Sequence, residues 1–435
     1  MITISDGVVV VGGGWAGCAA ALMAAKKGSP VTLIEKNDRL LGYGLVAGEV
    51  YHGGRLTVCL EARALGGTEI FDALERVARH HGLPLPGLEN ALIYDVWAVE
   101  EEIARLLRES EVQVRLQTRV QEVMTREGEI LSLVLDNKEQ VAGKVFVDAT
   151  GTAGPAGLCN KYGWGCVSCI NRCHVFGSRV SIAGKMGVQE GTAIRPDGRL
   201  GGTGQGVNIL KESLDPGLVR DLEKDGFLVI PVPPGFSEQN FELPKTDLKT
   251  VKENLVLIDN GMAKAKSRPH LPLKKLRQLS GFQKAVYFDP AGGSKGNCIR
   301  FLAVTPRDNS LLVKGTRNLF VAGEKQGLLV GCSEAIVSGL VAGLNAHRLA
   351  REAGSPGLAQ VHRHRRNARF YRRSTWKTPR GTRRDIPAML VYWGRGSRSK
   401  GFIPLMSRKW KRGSTLSVWR MFFRGRSIRA FLFLF

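Results

Sequence analysis

Gly7-Val-Val-Val-Val-Gly12-Gly13-Gly14-Trp15-Ala16-Gly17-Cys18 is the stretch on which the fold turns. Four consecutive β-branched residues suit a strand buried on both faces. They run directly into glycines spaced G-x-G-x-x-G at Gly12, Gly14 and Gly17. Cys18 to Lys27, rich in Ala, Leu and Met, reads as a helix. Val31-Thr-Leu-Ile-Glu35 reads as a second strand, closed by a carboxylate eighteen positions after Gly17. Tight glycines let backbone N–H groups and a helix N-terminus approach a pyrophosphate, and an acid at the end of the next strand accepts from a ribose hydroxyl. With strand, helix and Glu35 all in place, dinucleotide binding is expected. Gly7 to Ala25 is nineteen uncharged residues, long enough for a membrane span. Its glycines argue for strand, turn and helix instead, so no transmembrane segment is expected.

The charge is unevenly placed along the 435 residues. The whole chain carries +24, but residues 1–350 hold 41 basic and 37 acidic side chains, and residues 351–435 hold 22 and 2. A nearly neutral body does not read as a nucleic-acid binder on isoelectric point alone, because such a footprint is a stripe on a folded face. Met1 to Gly7 lacks the basic start of a signal peptide, and eight Cys without one suit a reducing, cytoplasmic setting.

Downstream, Asp95 is a candidate N-cap for a helix carrying Val99, Ile103, Leu106 and Leu107. Val112, Val114 and Leu116 alternate, as do Leu131, Leu133 and Leu135, with turn signals at Glu127-Gly128 and Asp136-Asn137. This pattern predicts a three-stranded antiparallel meander. It leads into Lys144-Val-Phe-Val-Asp-Ala-Thr150-Gly151, an apolar strand with a small-residue turn that backbone or ligand can approach closely.

Gly12 to Gly17, Glu35, the meander and Val147-Asp-Ala-Thr-Gly151 resemble the two-dinucleotide-binding-domain class of FAD-dependent oxidoreductases. Asn318-Leu-Phe-Val-Ala-Gly323-Glu324 and Gly331-Cys-Ser-Glu-Ala-Ile-Val-Ser-Gly resemble the C-terminal flavin motif of that class. That block is especially similar to the glucose-inhibited division protein A family and the folate- and FAD-dependent tRNA uracil methyltransferase family. The resemblance implies FAD as cofactor, with Val120 meeting adenine through its backbone. It also implies that Gly323 and Glu324 face the ribityl or pyrophosphate region, and that a helix starting near Gly331 points at the flavin ring. The cofactor-binding set is Gly12, Gly14, Trp15, Ala16, Gly17, Glu35, Lys36, Gly42, Val120, Thr150, Gly151, Gly323, Glu324 and Gly331.

Cys159, Cys166, Cys169 and Cys173 fall within fifteen residues, followed by His174. Three readings stay open: an iron–sulfur cluster or zinc site on all four, a redox-active thiol pair serving the flavin, or structural cysteines. The candidate catalytic residues are Cys59, Cys166 and Cys169, with core filler as the alternative for Cys59. Gly201-Gly-Thr-Gly-Gln-Gly206 follows no strand and reads as a loop. Leu228 to Phe236 reads as an irregular connection, and Leu255 to Ile258 as a strand. The basic run Lys264, Lys266, Arg268, Lys274, Lys275 and Arg277 reads as a solvated face or a surface for an anionic substrate. From Arg363 the chain holds 21 basic residues against Asp385 alone, and four of the seven Trp. That tail reads as a nucleic-acid arm, a membrane-surface segment or the product of a reading-frame slip, and in each case not as an independent domain.

The expectation is therefore an α/β fold. Residues 1–45, 90–155 and 300–350 form a Rossmann-like FAD domain with a parallel central sheet and antiparallel meander. Residues 46–89 and 156–299 form an inserted substrate lobe with the cysteine cluster, and 355–435 a basic tail. The expected function is FAD-dependent oxidoreduction on a small-molecule or redox-protein substrate, with the cysteines as a relay. The alternatives are a flavin-dependent tRNA uridine modifier, which would bind nucleic acid, and a degenerate chain without activity.

Overall fold

The computed structural model describes residues 2–4, 7–51, 58–85, 88–151, 170–192, 202–203, 206–233, 236, 253–266, 271–288, 300–301, 303–327 and 331–353, together with four strands of the tail. Its central sheet is parallel throughout. β1 (Val8–Val11) is followed by α1 (Trp15–Lys26) and β2 (Val31–Ile34); α2 (Val99–Glu109) then feeds β3 (Gln113–Arg115). After the meander of β4 (Val120–Arg126), β5 (Glu129–Leu135) and β6 (Gln140–Ala142), the chain re-enters the sheet as β7 (Val145–Asp148). The last strand of this sheet comes from far along the chain, and the order is Leu319–Val321, β7, β1, β2, β3. Every residue of β1, β2 and β7 is buried, as expected of strands covered on both faces.

The meander exists, but its members are not all those the alternation suggested. Gln113–Arg115 is the edge strand of the parallel sheet, because the α2 crossover returns the chain alongside β2 in the same direction. The antiparallel strands are β4, β5 and β6, with Ile2–Ile4 added parallel to β6. Register shifts in the β4–β5 pairing leave Leu131 exposed while Ile130, Leu133 and Leu135 go to the core. Asp95 holds the turn before α2, accepting from the N–H groups of Trp97 (2.8 Å) and Ala98 (3.3 Å).

A second antiparallel sheet lies in the inserted region. β8 (Val207–Ile209) leads through α3 (Pro216–Asp225) to β9 (Phe227–Pro231), β10 (Asn254–Asp259) and β11 (Ala263–Ala265), in the order β8, β11, β10, β9. The termini of α3 are written in its sequence: Asp215 accepts from Gly217 N at 2.8 Å, Pro216 opens the helix, and Gly226 closes it at φ +78°. Residues 228–231 are thus a strand and not an irregular connection; β9 is the edge, and Pro231 ends it where no ladder donor is needed. Glu49–Tyr51, Ala91–Tyr94 and Ala78–His81 make a further three-stranded sheet, and Val256 and Ile258 of β10 pack with Leu83, Leu88 and Ile93.

β12 (Leu319–Val321) completes the parallel sheet, and α4 (Cys332–Ala353) lies against α1. A Cβ on Gly339 would stand 2.3 Å from Ala16 O, and one on Gly343 2.2 Å from Ala20 O. Both pairings advance together along the chain, so α1 and α4 run parallel and present their N-termini at the same end of the sheet. Among the described residues, no helix is long and apolar enough to cross a membrane. In the tail, Thr375–Lys377 pairs with Arg383–Asp385, and Leu416–Phe423 pairs with Arg426–Phe433 as an antiparallel hairpin within a separate unit, Leu390–Phe435.

Candidate functional site

The C-terminal ends of β1, β2 and β7 open into one cleft, at the point where the strand order reverses direction from β1. All of the cofactor-binding set except Gly17 lines it. Gly17 works from behind, where a Cβ would stand 1.7 Å from Gly12 O, so helix and strand approach this closely only with glycine. Gly12 is held at φ +103°, with space for a Cβ blocked by Ala149 O at 2.4 Å. At Gly14, Gly42 and Gly331 an added Cβ would meet no atom within 4 Å. These three glycines border open space in the cleft that side chains would fill.

Glu35 ends β2 facing this turn. Its Oε2 accepts from Gly13 N at 2.6 Å and its Oε1 from Asn37 N at 2.8 Å. Burial pushes the carboxyl pKa upward, against the pull of those two N–H groups and the charges of Lys36 and Arg179. Each carboxylate oxygen keeps a lone pair for a further donor. Lys36 Nζ donates to Asn171 O and, at 2.8 Å, to Asn37 Oδ1, tying the loop after β2 to the segment at 171. Val120, at the start of β4, is buried beside Thr118, whose N–H donates to Glu35 O at 2.9 Å.

Opposite, Asp148 shapes the Thr150-Gly151 turn. Its Oδ1 accepts from Thr150 N (3.1 Å) and Thr150 Oγ1 (2.7 Å), and Gly151 sits at φ +71°. Its Oδ2 accepts from Lys325 Nζ at 2.6 Å and Ala183 N at 3.0 Å. Lys325 also meets Glu190 Oε1 at 2.9 Å and Ser181 Oγ at 2.7 Å. Burial works to raise the Asp148 pKa, but the charge and hydrogen bond of Lys325, with Ala183 N–H and Thr150, hold it below the usual carboxylate range. Gly323, at φ +78°, donates its N–H to Ser338 Oγ of α4 at 3.0 Å. The N-termini of α1 and α4 therefore both border the cleft, with Cys332 and Ala335 in its wall.

Tyr43, Arg119, Asn171, Arg179 and Cys332 also line the cleft, and sequence reasoning did not find them. Asn171 and Arg179 flank no recognisable motif; only their basic or amide chemistry near the cysteine run was available as a signal. The basic run resolves differently from expectation at Lys264 and at Lys266, whose Nζ donates to both Glu49 carboxylate oxygens at 2.9 Å, while Arg268 lies outside the described residues. Lys264 is not on a solvated face: it is buried on β11, donates to Ala47 O and lies 3.5 Å from Glu49 Oε1. Burial lowers its pKa to about 8, against the pull of Glu49.

Cys159, Cys166 and Cys169 lie outside the described residues. Cys173 opens a one-turn helix, Cys173–Phe176, and is exposed, and Cys59 lies in the helix Val58–Leu65. Among the described residues no group of three His, Cys, Asp or Glu side chains is arranged to hold a metal ion.

A glycine-walled cleft between two helix N-termini, with a buried carboxylate at one end, fits a dinucleotide such as FAD. Comparison with known proteins agrees. The family model "FAD dependent oxidoreductase" matches residues 7–159, and "Glucose inhibited division protein A" matches residues 260–354. Two crystal forms of Aquifex aeolicus GidA superpose on the chain with a TM-score of 0.54 at 18% identity, each covering 79% of it. The chain spans 63% and 66% of the chain in those two structures, just under two thirds of its length. No curated protein matches the sequence. Both family models fall on segments that build the one cleft, so this chain is similar to FAD-dependent oxidoreductases over residues 7–159 and to glucose inhibited division protein A over residues 260–354.

Proposed function

We propose that FAD lies along this cleft and exchanges electrons or hydride with a small-molecule or redox-protein substrate presented by the inserted lobe. The observation that carries the reading is convergence: residues from four distant stretches, around Gly12, Glu35, Gly151 and Gly323, wall one cavity. Bound flavin supplies the two-electron chemistry, and the protein supplies orientation and electrostatics. Gly12 to Gly14 and the start of α1 would hold the diphosphate. Glu35 would accept from the adenosine ribose, and Val120 would meet adenine. Gly151 would border the cofactor. The N-terminus of α4 would face the ring system, where a positive helix end favours negative charge on the pyrimidine. In this reading 1–45, 90–155 and 300–350 form the cofactor domain, 46–89 and 156–299 the substrate lobe, and the enzyme works in the cytoplasm. Cys59, Cys166 and Cys169 are the candidates for relaying electrons.

The test is reconstitution. Protein titrated with FAD should quench flavin fluorescence and gain about 2.7 kcal/mol of stability at a ligand concentration of 100 Kd. Absence of both effects would remove the reading. The family match at residues 260–354 favours tRNA uridine modification as the second reading. Tight, salt-sensitive tRNA binding by the full chain, together with turnover on tRNA uridine, would establish it over the first.

A further inference from the structure

Three cations stand in the wall of the cleft, Lys36, Arg119 and Arg179, and two of them donate to protein acceptors. Lys36 Nζ is held by Asn37 and Asn171. Arg119 donates from Nε to Ser178 O at 2.8 Å and from Nη2 to Ser178 Oγ at 3.2 Å. Arg179 differs. Its Nε is buried and has no hydrogen-bond partner among the described residues, although a buried N–H of this kind costs stability until an acceptor reaches it. The guanidinium is placed beside the Thr150-Gly151 turn, with Nη1 3.4 Å from where a Cβ on Gly151 would stand. It is also near enough to Glu35 for its charge to act on that carboxylate.

The charge balance says what the missing acceptor should be. A dinucleotide diphosphate brings two negative charges into a cleft whose wall already carries Glu35 and Glu324. Each helix N-terminus offsets only about half a charge. The first turn of α1 is uncharged, so no side chain there adds to it. A guanidinium with an unused Nε–H, set between the ribose-facing carboxylate and the Gly151 turn, is suited to phosphate oxygen.

Resting on the FAD reading above, we propose that Arg179 is the residue that grips the adenylate phosphate of the dinucleotide, donating from Nε to its oxygen. It is then the feature by which the cleft selects a phosphorylated adenosine over adenosine itself.

The experiment compares wild type, Arg179→Met and Arg179→Lys as apoproteins, titrated with FAD, ADP and adenosine. Arg179→Met should weaken FAD and ADP by about 10- to 100-fold and leave adenosine unchanged. Lys should restore part of the loss and keep the salt dependence that Met abolishes. The apoprotein of Arg179→Met should melt no lower than wild type, because Nε has no partner among the described residues to lose. Unchanged ADP affinity in Arg179→Met would overturn the proposal while leaving the FAD reading intact. An equal loss for adenosine would overturn it too, by assigning Arg179 to the adenine ring. Wild-type protein that binds neither FAD nor ADP would refute the cofactor reading and this proposal together.

Discussion

Replacing Lys325 by Met tests whether the cleft is built on a buried charge balance. The Lys325 side chain is 1% exposed, and it joins Asp148 at 0% and Glu190 at 7%. Methionine fills a similar volume but strands two carboxylates in a dry pocket. Removing one partner of a single buried pair typically costs about 3–5 kcal/mol. With two acids relying on one ammonium, the loss at pH 7.5 should lie toward the upper end of that range. The pH dependence follows from the direction of the Asp148 shift. In the wild type its pKa is depressed, so its contribution is present above about pH 3.8 and is lost as pH falls through the lower folded value. In the variant, burial acts on Asp148 without the countercharge, so its pKa rises and its protonation relieves the repulsion. The gap between variant and wild type should therefore narrow as pH falls from 7.5 toward 4. Urea unfolding followed by tryptophan fluorescence at several pH values measures it, and adding Glu190→Gln to the variant should recover part of the loss. A gap below about 1 kcal/mol at pH 7.5, or one that stays constant with pH, would refute the reasoning.

Glu35→Ala should weaken FAD binding at least about tenfold, since it removes the ribose acceptor and leaves Gly13 and Asn37 N–H groups unpaired. Because burial raises the Glu35 pKa while bound hydroxyls favour its charged form, wild-type FAD affinity should rise with pH until Glu35 is ionised; calorimetry in buffers of different ionisation enthalpy would detect the released proton. Gly343→Val should force α4 away from Ala20 O and lower stability by about 3 kcal/mol, read by thermal unfolding. Lys264 titrates near 8 when folded and near 10.4 when unfolded, so its contribution to stability should grow as pH rises between those values, and Lys264→Met should flatten that slope. Joint replacement of Cys159, Cys166, Cys169 and Cys173 by Ser should alter metal content, thiol titration or flavin reduction; if all three are unchanged, the cluster is structural.

What the sequence disclosed was local. The β1 strand, the glycine turn and α1 follow one another within twenty residues, and no distant partner is needed to recognise them. Gln113–Arg115 shows the opposite case. Its alternation is the same whether the strand joins a meander or a parallel edge, and only the α2 crossover decides. Lys264 was misplaced because composition gives no sign that Ala47 O and Glu49 wait more than two hundred residues away. Arg179 and Asn171 were invisible for a related reason: each reaches the cleft from an irregular segment, where neither period nor motif marks a position.

The parallel contact of α1 with α4 sets a timetable for biosynthesis. Ala16 and Ala20 wait for Gly339 and Gly343, which emerge more than three hundred residues later. At ribosomal speeds of about 5–20 residues per second, the glycine turn exists for roughly 16–65 s before the helix that covers it. Throughout that interval one face of an Ala-rich helix, buried along Trp15 to Ala24 in the finished protein, has no lid. The nascent chain thus carries an uncovered apolar helix face through most of its synthesis, and the cleft wall formed by Gly331, Cys332 and Ala335 is completed only at the end.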